Sequence, residues 1–445
     1  MSRSDDLSGM STSLPAALIG DWNKVILGVL SHAASTGPAL NRVLAAAPDF
    51  ALGQAIRGIS CLLLARAEMV AVAREALAAA RAGAPATARE TAFVDALGDW
   101  LGGHPTRAAA RMQAVLDQHP RDALAMKLIH AIHFTMGRPV AMRQSVEAVM
   151  PVWDDHPARG YLLGCHAFTL EETGEYAAAE RTGREGVALC PDDAWGLHAV
   201  AHVFDMTGRS RDGLDWLVGR ESSWAHCNNF RFHVWWHRAL MHLDLGEHDA
   251  VLALYDDDIR ADKTDDYRDI ANAASPLSRL ELEGVPVGTR WEELAVLAEH
   301  RATDGCLAFA DLHYMLALCG GARDQAAAGL IQRMQATHSV GNEAAAVIAH
   351  PGLHVAKGIL AFAHGEYSNA WAHLRAGRVD LQAIGGSHAQ RDVFDRITIE
   401  AALRGGYVDA AEGLLLDRMD RRAGIADSYA QGRLAQIGTL RHQAV

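Results

Sequence analysis

The sequence predicts an all-α fold: a right-handed α-solenoid of tetratricopeptide-like helix pairs, curved or nearly closed. Three observations carry this. Apolar residues recur three and four apart through nearly every segment, in stretches rich in Ala, Leu, Arg and Glu, which is the helical period. Runs of alternating β-branched residues, the mark of strands, are missing. The helical stretches come in pairs, separated by short turns marked by Gly or Pro, and that layout directs attention to internal repeats.

Taken in order, residues 1–85 are expected to form an N-terminal helical cap over the first repeat face. Residues 86–445 are expected to form one continuous array of roughly nine units. The clearest unit runs from Gly160 to Asp193. With Gly160 as position 1, small Ala167 falls at 8, the turn glycine Gly174 at 15, Tyr176 at 17, small Ala179 at 20 and Pro191 at 32. That is the 34-residue tetratricopeptide pattern, in which small residues let helices A and B touch and proline ends helix B. Equivalent turn glycines fall at Gly103, Gly137, Gly208, Gly246, Gly284, Gly321, Gly365 and Gly405. Seven aspartates between Asp256 and Asp269 interrupt the pattern; without the glycine and terminal glutamate of a calcium loop, they read as a solvated connection.

Composition limits the function classes. Half of the 445 residues are hydrophobic, ample for a packed core. Acidic residues outnumber basic ones, 54 to 41, for a formal charge of −13 with no Lys/Arg block. Such a surface repels nucleic acid and anionic membranes, so neither is expected as a partner. The six cysteines are scattered without a CxxC, as in a reducing compartment. The opening MSRSDDLSGMSTS lacks the layout of a signal peptide, and unbroken apolar runs are too short to span a bilayer. A cytoplasmic location is the expectation.

The chain carries 23 histidines, and their register matters more than their number. His198 and His202, in HAVAH, take positions 5 and 9 of one helix A; His233 and His237, in HVWWH, take positions 2 and 6 of the next. Residues four apart share a helix face. Positions 2, 5, 6 and 9 line the concave groove of a tetratricopeptide array, so four imidazoles are expected to meet there. Such pairs can chelate a divalent transition metal or, without one, act as general acid and base. Trp236, beside the second pair, joins them as a substrate-contacting candidate, and Asp269 and Asp311 are carboxylates that could complete a ligand set. The competing reading is core packing, because half of the ten tryptophans lie in this same stretch. A second feature is GGSHAQRDVFD, Gly385 to Asp395. Its glycines permit a tight turn and Ser387 can cap the following helix. That would present His388, Gln390, Arg391 and Asp392 at a helix N-terminus, with Arg391 as an anion clamp. Phosphate-loop, dinucleotide, nucleophile-elbow and zinc-ribbon motifs are absent.

At these residues the sequence resembles the tetratricopeptide repeat protein 38 family. The stretches HAIHFTMGR, DDAWGLHAVAHVFDMTGR, NNFRFHVWWHRALMHLDLGEHDAVLALYD, RLELEGVPVGTRW, DLHYMLAL and GGSHAQRDVF carry the likeness, in order, over residues 90–405. The resemblance implies a helical-repeat fold without an assigned activity. It matches family signatures at His198, His202, His233, His237, Asp311, His313, Gln390, Arg391 and Asp392; the family has Asn where this chain has His388. The resulting expectation is a His-lined groove that binds a metal ion or small polar molecule, as a metal-dependent or acid/base enzyme. In it the four histidines act as ligands or acid/base groups, Asp311 and His313 support them, and Gln390, Arg391, Asp392 and Trp236 contact substrate. The alternative is a protein-interaction scaffold without catalysis, its groove holding a peptide. Those groove positions are not basic in the two clearest repeats, which argues against a clamp for acidic peptide tails. A third use is pH sensing by imidazoles that protonate together.

Overall fold

The structure, a computed structural model, describes residues 4–337 and 341–443. It is an all-α solenoid-type fold of helix pairs. The strands among the described residues are Ser4–Asp5 and Ser11–Thr12, a short antiparallel pair with Ser4 opposite Thr12. The tightest pairs are Arg159–Glu172 with Tyr176–Leu189, Leu353–Ala363 with Tyr367–Arg378, and Ala51–Leu63 with Ala67–Ala82.

The turn glycines explain where each helix A stops. Gly103, Gly137, Gly174, Gly208, Gly246, Gly284 and Gly365 all have positive φ, between 61° and 84°. At each, the next residue's N–H reaches back to a carbonyl five residues earlier, as Glu175 does to Leu170 and Arg209 to Phe204. This Schellman closure satisfies carbonyls that the helix end leaves open. Two rungs of the expected ladder shift by one residue. Gly321 and Gly405 stay on the right-handed side, at φ −90° and −81°. Ala322 (φ 53°) and Gly406 (φ 83°) make the left-handed turn instead, and Arg323 and Tyr407 close it.

Small residues set the pair spacing. A Cβ on Gly164 would come within 2.9 Å of the Gly196 Cα, and one on Gly186 within 2.9 Å of the Gly160 carbonyl. The first 85 residues share a hydrophobic core with the repeats that follow, Trp22, Phe50, Phe93 and Phe168 belonging to one cluster.

The aspartate-rich segment is not a freely solvated connection. Asp256 pairs with Arg290 and Asp265 with Arg301, each at 2.6 Å. Asp266 caps the helix Tyr267–Leu282, and Asp269 is fully buried against Thr264. The segment also departs from plain helix, with a π turn at Tyr255–Ile259.

One run, Glu343–Ala363, is long and apolar enough to cross a membrane by length and composition alone, with mean hydropathy 1.3. Half of that window is buried inside the protein. Counting unbroken apolar runs passes over it, because charged and His positions interrupt it. His350 breaks the helix with extended backbone, φ −153° and ψ 125°.

The chain forms two compact units. The first comprises the described residues up to Val200, with Glu221–Arg231 and Gly341–Ala344; the second comprises the rest.

Candidate functional site

Three imidazoles converge in the second unit. His202 comes from the helix Ala194–Met206, and His233 and His237 from Phe230–Asp244. His233 and His237 are one turn apart, so their side chains project from the same helix face. Their Nε2 atoms lie 3.2 Å apart. The His202 and His237 ring centroids are 4.2 Å apart, and one ring nitrogen from each of the three lies within 4.8 Å of the others. A 3.2 Å spacing between ring nitrogens is that of an N–H···N hydrogen bond, and it is also close to the ~3.3 Å that separates two nitrogens on a tetrahedral ion with metal–nitrogen bonds of ~2.0–2.1 Å.

The surroundings of His202 and His233 favour neutral rings. His202, His233 and His237 are buried, at 0%, 8% and 0% exposure, and do not line an open groove. Burial pushes His233 down to about 4, against the opposing hydrogen bond to Asn272. Burial also holds His202 well below the usual imidazole range, with further contributions from the charges of His233, His388 and Arg391. Neutral imidazole is the metal-binding form. Asn272 Oδ1 lies 2.9 Å from His233 Nδ1 and accepts a hydrogen bond from it, which leaves the His233 lone pair on Nε2, facing His237. Asn272 is a residue the sequence reading missed. Its signal is weak, an Asn on the buried face of the next helix A.

Trp236 forms a wall. It is 1% exposed, stacks on His233 at 5.0 Å and meets His237 edge-on at 4.8 Å. His198 lies one turn before His202 on the same helix but belongs to the first unit. There its ring is buried among Phe168, Trp195 and Phe230, and Nδ1 donates to the Trp195 carbonyl at 2.5 Å. The remaining candidates have their own partners. Asp311 is buried against Arg333 at 2.6 Å; burial lifts its carboxyl to about 6 although Arg333 opposes this. His313 donates from Nδ1 to the Phe309 carbonyl at 2.8 Å and packs on Phe394. Asp269 is held by Thr264.

The GGSHAQRDVFD segment forms the cap its residues suggest. Ser387 Oγ accepts from the Gln390 N–H, and Gln390 Oε1 accepts from the Ser387 N–H, which completes a capping box. The Gln390 carboxamide is thus committed to the helix start. Asp392 sits in a buried arginine cluster, with Arg418 and Arg396 bonded to it and Arg279 at 3.7 Å. Burial opposes its ionisation, yet those three guanidinium groups hold it well below the usual carboxylate range. Arg391 donates to the Gly385 and Gly386 carbonyls and lines a cavity of about 250 Å³ together with His388 and Asp392. The sequence reading found the cap and Arg391. It missed Arg418, on the helix Val408–Arg421, and Arg422 and Asp427, in the turn that follows it; all three meet this segment only in the fold.

No family model matches the chain, so its likeness to the tetratricopeptide repeat protein 38 family rests on the stretches quoted above. Among solved structures, the chain is similar to one titled "Structure of Naa15/Naa10 bound to HypK-THB". The identity is 13%, the match covers 91% of this chain and 68% of that one, and the TM-score is 0.26. Likeness at that level carries no argument about function.

Proposed function

We propose that the second unit binds one divalent transition-metal ion on His202, His233 and His237, as a metal-dependent site with an open coordination position. The observation that carries this reading is the 3.2 Å approach of two buried Nε2 atoms with a third imidazole beside them. Three imidazoles and a vacant position make a donor set suited to zinc, cobalt or nickel chemistry. Asn272 would orient His233, and Trp236 would keep bulk water from the ligands. His198, one helical turn from His202, is the fourth candidate by spacing alone. The resemblance to the tetratricopeptide repeat protein 38 family, whose histidine signatures these residues match, supports a fixed site rather than a peptide groove that varies with its partner.

The test is elemental analysis of untagged protein, with cobalt(II) reconstitution followed in the visible spectrum. A ratio near one metal per chain is expected, falling to background in His202→Gln and His237→Gln variants whose circular dichroism is unchanged. If metal is absent, and cobalt reconstitution gives no d–d band, the reading fails. The three rings are then core packing, and the interaction-scaffold reading takes its place.

A further inference from the structure

Within the second unit, the helix Ser428–Gln443 joins the helices before it through the turn Arg422–Asp427. Arg422 leaves that turn and reaches the C-terminal ends of two helices, Ala194–Met206 and Phe230–Asp244. Its Nη2 donates to the Asp205 carbonyl at 2.8 Å, and to Asp205 Oδ1 and Asp244 Oδ2 at 3.1 Å each. All three side chains are buried. A helix C-terminus already concentrates negative charge, so a cation is favoured there and a carboxylate is not.

The buried carboxylates of this region are served unequally. Asp427 is bonded by Arg418 at 3.0 and 2.6 Å, with Arg396 and Arg422 at 3.5 and 3.7 Å. It also caps the terminal helix through the Ala430 N–H. Asp244 has the shared Arg422 nitrogen, Arg396 at 3.9 Å and the Ser210 hydroxyl at 3.5 Å, and it faces the charges of Asp205 and Asp427. A cleft of about 420 Å³ adjoins it, lined also by Arg209, Arg211 and Asp212 on one side and by Ile425, Ser428 and Gln431 on the other.

Burial lifts the Asp244 carboxyl to about 7; Arg422 and Arg396 oppose this, while Asp205 and Asp427 add to it. The docked turn therefore holds a proton that a hydrated carboxyl releases near pH 4, and docking weakens as pH rises from about 4 to about 7. Asp427 acts in the opposite sense. Burial opposes its ionisation, yet Arg418, Arg422 and Arg396 hold it below the usual carboxylate range, so its contribution is lost only in stronger acid.

The geometry points to a proton-linked latch, in which the turn Arg422–Asp427 locks the terminal helix onto the ends of the two earlier helices and loosens when Asp244 gives up its proton. Opening uncovers Tyr429 and Ile437, which are 2% and 1% exposed in a small core with Ile399 and Leu415. The latch uses none of the three histidines and needs no metal.

The test is hydrogen exchange of the full chain between about pH 5 and about pH 7.5, corrected for the intrinsic rate at each pH. The opening constant of the helix Ser428–Gln443 is expected to rise roughly tenfold or more across that range, and that of the helix Ala308–Gly320 to rise less. In Asp244→Asn the terminal helix is expected to keep its protection with little dependence on pH. Asp205→Asn removes a like charge and is expected to move the transition to lower pH, which keeps the test open if Asp244→Asn does not fold. Arg422→Met is expected to loosen the helix at every pH. The same profiles are expected in EDTA, so failure of the metal reading leaves this result distinct. Equal pH dependence in the wild type and in a folded Asp244→Asn would overturn the latch. So would a terminal helix whose protection does not change across the range.

Discussion

Asp193 shows how far a single side chain can depart from its sequence context. It is 1% exposed; Oδ2 accepts the Gly196 N–H at 3.1 Å, and Oδ1 has no hydrogen-bond partner. Burial lifts its carboxyl to about 7, although Lys127 and the Gly196 N–H pull the other way. The folded chain therefore holds a proton that the unfolded chain releases near pH 4, so this residue's contribution turns unfavourable as pH rises from about 4 to about 7. Asp193→Asn is expected to lose less stability than wild type between pH 4.5 and 7.5, read as a smaller fall in Tm. An equal fall in both would contradict the assignment. Arg418 behaves in the opposite sense. It is 1% exposed between Asp392 and Asp427, so Arg418→Met strands two buried carboxylates and should cost ~3–5 kcal/mol in denaturant unfolding. Asn272 belongs to the proposed metal reading. Asn272→Ala removes the group that fixes the His233 tautomer, and a ~10–100-fold weaker metal affinity is expected in chelator competition.

At the scale of the element, the turn ladder was legible because it is local. A left-handed residue after helix A is a requirement of the helix end itself, and glycine meets it at the lowest steric cost. Gly174, at φ 84° with nothing near its missing Cβ, is such a case. Ala322 fills the same role at φ 53° against the usual penalty for a Cβ. Ala322→Gly is expected to stabilise the chain by up to ~1 kcal/mol, and Gly174→Ala to destabilise it by about that amount, both measured by denaturant midpoints. Gly164 serves a different need. Its added Cβ would meet the Asp193 carboxylate at 1.9 Å and the backbone of Gly196, so Gly164→Ala should cost ~1–3 kcal/mol through overpacking. The aspartate-rich segment was misread at this scale, because its arginine partners lie 34 and 36 residues away on a neighbouring helix.

At the scale of the whole molecule, the two units do not follow the order of the chain. The first unit needs Glu221–Arg231 as well as residues up to Val200. Ala34 donates to the His226 carbonyl at 3.0 Å, and Asn228 donates to the His32 carbonyl at 2.8 Å, so a returning strap closes the turn after the helix Ile19–Leu30. Glu343 likewise accepts from the Thr106 N–H at 3.1 Å. A fragment of residues 1–200 would leave these groups open. In hydrogen exchange, amide 34 is expected to be protected in the full chain and to exchange far faster in the fragment. Equal protection in both would show that the strap contributes nothing.

The sequence by itself determined the helical-repeat class, the left-handed turns, the helix cap at Ser387 and the one-turn pairing of His233 with His237. Each follows from interactions within a few residues of one another, where helical periodicity and backbone sterics suffice. Only the tertiary structure decided that the imidazoles are buried rather than open to a groove, that Asn272 orients one of them, and that Asp392 is held by arginines from later helices. Those outcomes depend on which distant side chains share a low-dielectric interior. Desolvation and ion pairing there are set by neighbours in space, and the spacing of residues along a chain does not specify them.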